Sequence, residues 1–314
     1  MGFALRKQAP RNGSSGGVPL GKRLHAWWNG YALRPRPAAP ADGGGKAGKA
    51  GNGAARDNSN PWSEPRRQLA QELWSPGFIV PGGNAYVEKL VSGCNLTEAE
   101  TMLEIGVGMG GGTRTIIGKF GNYVTGYERD ADLAAAALRH AASYELDDKL
   151  EVISTPFEEI ALKPGYFRAA LLRDVLYTVE DKARMIGRLA AALKSGESFL
   201  IMTDFLFKAR DPSPELAAWM AVEERAVYPW TEDALTRCLK SHRITPRIVA
   251  DESDHYRAMV IDAWTDYLQS IEGRELPEGM GAQLEREGEF WARRVAALEA
   301  GALKYYRIEA VKVS

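Results

Sequence analysis

Apolar residues in the first sixty positions show almost no regular spacing, whereas from about residue 61 they fall into alternating helix-period and strand-like segments. Residues 65–74 read as a helix, GFIVPGG (77–83) as a tight connection and 85–91 as a second helix. Strands are predicted at 101–105, 123–127, 150–154, 169–172 and 199–203, with helices at 113–120, 130–144 and 182–194 between them. Gly196 stands where the last of these helices needs a C-terminal cap. This alternation predicts a parallel, doubly wound α/β sheet. Beyond it the spacing predicts helices at 214–227, 231–241, 254–272 and 280–298, a short strand at 247–250 and a closing strand at 304–313. The sheet core is expected over residues 85–206, and a helical cap with the final strands over 207–314.

Residues 1–60 contain twelve Gly and five Pro. Such a stretch buries too little apolar surface to offset its ordering entropy, so it is expected to be largely disordered. Residues 20–33 are an exception: Leu24, Trp27, Trp28 and Tyr31 recur at helical spacing beside Lys22 and Arg23. That short amphipathic segment reads either as an anchor for an anionic membrane or a protein partner, or as a tail packed back on the body.

The whole chain of 314 residues has a formal net charge of −1, which hides an asymmetry. Residues 1–60 hold ten Lys and Arg against two Asp, and the remainder holds 30 against 39. A basic arm thus precedes an acidic body over 61–314. Its charges are diffuse rather than clustered, which disfavours nucleic acid as a partner. No apolar run approaches the ~18 residues of a transmembrane helix. Cys94 and Cys238 lie far apart, the four histidines are scattered, and neither set has metal-ligand spacing, so no metal is expected. A cytoplasmic protein, peripheral at a membrane if the arm anchors it, is the expectation.

The segment with the most chemistry is LEIGVGMGGG, residues 103–112, between a predicted strand and a predicted helix. Gly106, Gly108 and Gly110 allow a sharp turn and a close backbone approach to a ligand at the carboxyl end of the strand. Glu128, at the end of the second strand, is placed to accept ribose hydroxyls. Two cofactors compete for this pattern: a dinucleotide, whose pyrophosphate sits on the helix N-terminus, and S-adenosylmethionine, whose aminoacyl end does. Glu104 separates them, because a carboxylate two residues before the first glycine opposes a pyrophosphate and suits an ammonium.

Residues 102–112, Glu128 and LLRDVLYTVEDK (171–182) resemble class I S-adenosylmethionine-dependent methyltransferases. More narrowly, VPGG (80–83), EIGVGMGGG (104–112), LRD (172–174) and MTDF (202–205) are similar to motifs of the phosphoethanolamine N-methyltransferase group, and FWARR (290–294) and YYRIEA (305–310) to its last helix and strand. The resemblance implies a Rossmann-like seven-stranded sheet, mostly parallel with an antiparallel last strand, and helical cap insertions. It implies a cofactor site of Ile79, Val80, Glu104, Gly106, Gly108, Gly110, Glu128, Arg129, Thr155, Phe157 and Arg173. Arg225 and Arg294 match, or stand near, basic residues that bind an anionic group of the substrate.

The sequence also departs from that group. Pro156 replaces an acid, Thr178 replaces a catalytic histidine, and no tyrosine lies between Asn60 and Gly77. Ala221 and Val227 stand where the group carries phosphate-binding tyrosines. The candidate catalytic groups are therefore Asp174, Tyr177 and Thr178. The expected activity is methyl transfer to a small amine or amine-bearing headgroup. The alternatives are O-methylation of a small molecule, and S-adenosylmethionine binding without turnover by a protein recruited through its basic arm.

Overall fold

The computed structural model describes residues 61–208, 213–228 and 230–313. The basic arm and its amphipathic segment at 20–33 lie outside the described residues. Helix α1 (Glu64–Trp74) starts with Pro65 in its first turn and buries Arg66, Leu69, Ala70, Leu73 and Trp74, a stripe at three- and four-residue spacing. Helix α2 (Gly83–Val91) follows. Then come β1 (Thr101–Ile105), α3 (Gly111–Phe120), β2 (Tyr123–Glu128), α4 (Ala131–Ser143), β3 (Leu150–Ser154), β4 (Ala169–Arg173), α5 (Lys182–Ala192) and β5 (Ser198–Phe207). The remaining elements are α6 (Pro214–Val222), α7 (Glu232–Ser241), β6 (Ile244–Asp251), α8 (Ser253–Ser270), α9 (Met280–Glu299) and β7 (Leu303–Lys312).

The seven strands form one sheet in the order β3-β2-β1-β4-β5-β7-β6. Strands β1 to β5 are mutually parallel, and β7 inserts antiparallel between β5 and β6. The chain leaves β1 for β2 and β3, then returns to β4 on the other side of β1. That reversal opens a crevice beyond the carboxyl ends of β1 and β4. Side chains alternate across the sheet: Met102, Leu171 and Ile201 pack with α1 to α4, α8 and α9, while Leu103, Leu172 and Met202 pack with α5 and α7.

Two expectations change. The helix predicted at 214–227 stops at Val222, so Glu223, Glu224 and Arg225 lie in a non-helical segment. The Tyr228 amide of that segment donates to the Tyr177 carbonyl at 2.9 Å, which ties it to the loop after β4. The short strand predicted at 247–250 is twice that length, and its register shifts between Pro246 and Ile248. Proline cannot donate to a ladder, but β6 is the sheet edge and the bulge accommodates it.

Candidate functional site

A cleft with about 1230 Å³ of empty space, part of it open to solvent, lies over the crevice between β1 and β4. It is walled on one side by the loops after β1, β2 and β4, and on the other by α1, α9 and the segment after α6. Of the residues singled out in the sequence, it brings together Ile79, Val80, Glu104, Gly106, Gly108, Glu128, Arg129, Phe157, Arg173, Asp174, Tyr177, Thr178, Arg225 and Arg294. Gly110 and Thr155 are not on its wall. Gly110 is the N-cap of α3 and faces Ala137 of α4, so its lack of a side chain serves helix packing. Thr155 extends the β2–β3 pairing by donating its amide to the Glu128 carbonyl at 3.0 Å.

The glycine loop is shaped by its neighbours. Gly106 has φ +81°, and a Cβ there would stand 2.7 Å from Val175 Cγ2. A Cβ on Gly112 would stand 2.3 Å from Glu104 Oε1, so the carboxylate uses space that only glycine leaves. The Gly111 amide donates to the Gly77 carbonyl at 2.9 Å, which lays residues 77–80 against the loop. Glu128 is buried; its Oε2 accepts from the Gly108 amide at 2.9 Å and its Oε1 from the Asp130 amide at 3.0 Å. The acid at the end of β2 thereby holds the loop's geometry, and each oxygen keeps a further acceptor site.

Glu104 is 3% exposed, and its Oε2 is buried without a hydrogen-bond partner. Burial pushes its carboxyl up to about 8, against the pull of the Arg173 charge. The Arg173 guanidinium, also buried, donates through Nη2 to the Pro81 carbonyl at 2.8 Å. Arg129 stacks on Phe157, 3.8 Å from the ring centroid, with its Nη2 buried and unpartnered. Burial, and then the nearby Arg225 charge, lower the Arg129 guanidinium to about 10. Glu104, Arg129 and Arg173 line the same cleft as the glycine loop. A partnerless buried carboxylate beside a backbone turn fits a ligand that brings an ammonium, and fits a pyrophosphate poorly.

The loop after β4 holds Asp174 in the left-handed region at φ +56°. Its Oδ1 accepts from the Tyr305 hydroxyl at 2.9 Å and the Thr203 hydroxyl at 3.2 Å, while Oδ2 is buried without a partner. Burial raises its pKa. The amides of Leu176 and Tyr177 are capped by Asp204 instead, at 2.5 and 3.1 Å. Burial pushes Asp204 up to about 7, with the Asp174 charge adding to it. Thr178 turns its hydroxyl back to the Val175 carbonyl at 2.9 Å.

The opposite wall is a network of side chains. Tyr177 donates its hydroxyl to Glu223 Oε2 at 3.2 Å. Burial, then the Glu223 charge, raise the Tyr177 pKa well above 10, so its hydroxyl stays protonated. Arg294 Nη2 reaches Glu223 Oε1 at 2.5 Å and the Tyr177 hydroxyl at 3.3 Å, and its Nη1 reaches Tyr256 at 3.3 Å. Arg294 is therefore committed to a buried ion pair, whereas exposed Arg225 forms no ion pair among the described residues. Glu224 pairs with Arg66 of α1, which also reaches Glu287 of α9 at 2.5 Å. Trp74 and Trp291 pack with ring centroids 4.6 Å apart.

Sequence reasoning missed Arg66, Glu223, Glu287 and Trp291. The only signal for Arg66, Glu287 and Trp291 is helical spacing in α1 and α9, which core packing produces equally well; Glu223, in the non-helical segment after α6, has none. Among the described residues no group of three His, Cys, Asp or Glu is placed to hold a metal ion, and no helix is long and apolar enough to cross a membrane.

The profile of a family described as "Methyltransferase domain" matches residues 103–201, which runs from within β1 into β5. Phosphoethanolamine N-methyltransferase 3 of Arabidopsis thaliana is 24% identical over 186 residues, covering 59% of this chain and 37% of the relative. Phosphoethanolamine N-methyltransferase 2 of Caenorhabditis elegans is 29% identical over 130 residues, covering 41% of this chain and 30% of the relative. The chain thus spans well under half the length of these relatives. Among solved structures, Haemonchus contortus phosphoethanolamine N-methyltransferase 2, bound to phosphomonomethylethanolamine and S-adenosylhomocysteine, superposes with a TM-score of 0.71 at 18% identity, covering 81% of this chain and 59% of that one. Residues 103–201 thus match a methyltransferase domain, the fold is that of Rossmann-like class I methyltransferases, and the chain resembles the phosphoethanolamine N-methyltransferase group.

Proposed function

We propose that this chain is an S-adenosylmethionine-dependent methyltransferase whose acceptor is a small amine or an amine-bearing headgroup. The observation that carries the reading is Glu104: a buried, partnerless carboxylate oxygen beside a glycine loop whose geometry is held by Glu128. In this reading Glu104 meets the cofactor's ammonium and Glu128 its ribose hydroxyls. Arg129 and Phe157 flank the adenine, Arg173 meets the carboxylate, and Ile79 and Val80 cover the site from the α1 side. S-adenosylmethionine would supply a methyl group on a sulfonium, whose leaving group is a neutral thioether, to an amine nitrogen that has first released its proton to water.

The residues around the acceptor orient it and exclude water. Tyr177 holds a protonated hydroxyl whose proton goes to Glu223, so it offers the acceptor an aromatic face and not a base. Asp174 presents its unpartnered Oδ2 to the same space, and Thr178, with its hydroxyl turned away, limits the pocket's size. The basic arm, residues 1–60, is proposed to bring a cytoplasmic enzyme to an anionic surface. Sedimentation with phosphatidylserine vesicles, with and without the arm, tests this: binding that survives removal of residues 1–60 refutes it. The methyltransferase reading is tested by incubating the protein with radiolabelled S-adenosylmethionine and a panel of amines. Label is expected in an amine product. Cofactor binding with no transfer to any amine, but with transfer to hydroxyl or acid acceptors, overturns the acceptor class.

A further inference from the structure

We infer that the acceptor end of the cleft takes an amine that carries no phosphate and has an apolar or aromatic substituent, with the Glu223 carboxylate as the group its ammonium meets. The inference rests on the methyltransferase reading and narrows its substrate class. Its basis is how the charges on this wall are already spent.

A phosphate monoester brings about two negative charges near neutral pH. To enter a buried compartment it needs cations that are not already neutralised. The two buried arginines of the cap do not offer that. Arg294 is 3% exposed and is bonded to Glu223 at 2.5 Å, Tyr177 at 3.3 Å and Tyr256 at 3.3 Å. Its Nε is buried without a partner, but the single positive charge is balanced by Glu223. Arg66 is shared between Glu224 and Glu287, and it also donates to the Pro61 carbonyl at 2.8 Å. What remains on the cap is Arg225, which is exposed; the neighbouring Arg129 is stacked on Phe157 and, in the methyltransferase reading, serves the adenine. Three carboxylates, Glu223, Glu224 and Glu287, share this wall with Arg66, Arg225 and Arg294. A dianion placed there would have to break a buried ion pair.

An ammonium meets the opposite situation. Glu223 accepts one bond on each oxygen, from Arg294 and from Tyr177, and a carboxylate has about four acceptor sites. The Tyr177 ring, buried beside it, adds an aromatic face that attracts a cation. The same wall also carries aromatic surface: Trp74 and Trp291 are buried with centroids 4.6 Å apart, and half-buried Phe290 packs edge-on against Trp291 at 5.4 Å. An apolar substituent on the amine is desolvated there without stranding a polar group.

The test is calorimetric titration of the full chain, saturated with S-adenosylhomocysteine, with 2-phenylethylamine, ethylamine and phosphoethanolamine. Phenylethylamine is expected to bind at least tenfold more tightly than phosphoethanolamine, the factor that ~1.4 kcal/mol sets. Glu223→Gln keeps the size but removes the charge that pairs with Arg294 and turns one acceptor into a donor, so it is expected to lower stability; in the folded fraction it should weaken both unphosphorylated amines about tenfold, the scale of one charge-assisted contact. S-adenosylhomocysteine affinity should stay within about twofold in that variant, which also shows that it folds. Phe290→Ala should cost phenylethylamine about three- to tenfold, the worth of one aromatic contact, and leave ethylamine unchanged. Tighter binding of phosphoethanolamine, an unchanged amine affinity in Glu223→Gln, or no amine binding by a protein that binds S-adenosylhomocysteine would overturn the inference and leave the cofactor reading standing. A folded protein that fails to bind S-adenosylhomocysteine would overturn both.

Discussion

The two walls of the cleft are built on opposite plans. The sheet wall is made of contiguous motifs, with backbone amides converging on Glu128 and carboxyl and guanidinium atoms of Glu104, Arg129 and Arg173 left unpartnered. The cap wall is made of residues far apart in the chain, and its charges are largely satisfied within the protein: Arg294 with Glu223, and Arg66 with Glu224 and Glu287. The difference teaches that one wall is prepared for an external polar ligand, while the other is cross-linked to hold a shape. A wall of the first kind loses binding when mutated. A wall of the second kind loses stability first.

The largest expected effect separates the two directly. Arg294→Met leaves Glu223 buried beside Tyr177 without its cation, and breaking a buried pair from one side costs about 3–5 kcal/mol. Chemical denaturation should show a loss of that size, while the fraction still folded binds S-adenosylhomocysteine with unchanged affinity. An equal loss of cofactor affinity would mean the walls are not independent. Glu128→Ala is the converse. It removes a carboxylate that accepts two amides, each charge-assisted bond being worth about 1.5–3 kcal/mol. A roughly 100-fold loss of cofactor affinity is expected by calorimetry, with the cap unaffected in its hydrogen-exchange protection.

Smaller changes sharpen the comparison. Gly112→Ala places a methyl 2.3 Å from Glu104 Oε1 and must displace that carboxylate. About a tenfold loss of cofactor affinity is expected, equivalent to roughly 1.4 kcal/mol. A fully retained affinity would remove Glu104 from the cofactor site. The pH profile gives the mildest probe. Burial lifts Glu104 from an ordinary 4.5 to about 8. The folded protein therefore holds this proton across a window in which the unfolded chain has released it, so this group's contribution to stability falls as pH rises from about 4.5 to about 8 and then levels. Binding a cationic ammonium favours the ionised carboxylate. Cofactor affinity should accordingly rise with pH up to about 8 and flatten above it, and Glu104→Gln should remove that rise.

What was legible in the sequence follows the same division. Glycine spacing after an apolar strand, with an acid at the end of the next strand, is a local pattern, because the turn, the strand end and the helix start are consecutive in the chain. The sheet wall could thus be anticipated, whereas the seven-stranded sheet with its reversed last strand was implied by the family resemblance and not by the local pattern. The cap could not. Glu223 pairs with a residue 71 positions away, and Arg66 with one 158 away. A sequence shows the charge of such residues but not their partner. The early end of α6 at Val222 has the same origin: Glu223 is drawn to Arg294 and Tyr177, and that contact outweighs the helical period that continues through residue 227. Arg294, expected to face a substrate anion, is held by that same carboxylate. The family resemblance placed Gly110 and Thr155 at the cofactor with their neighbours, and only the packing of α3 on α4 and the β2–β3 pairing set them apart.

The central claim is that the sheet wall binds the aminoacyl adenosine of S-adenosylmethionine through Glu104 and Glu128. Calorimetric titration of the wild-type chain with S-adenosylhomocysteine, in parallel with NAD and NADP, tests it most directly. One equivalent of S-adenosylhomocysteine bound in the micromolar range, with neither dinucleotide binding, is the predicted result. A folded protein that binds a dinucleotide and ignores S-adenosylhomocysteine would contradict it.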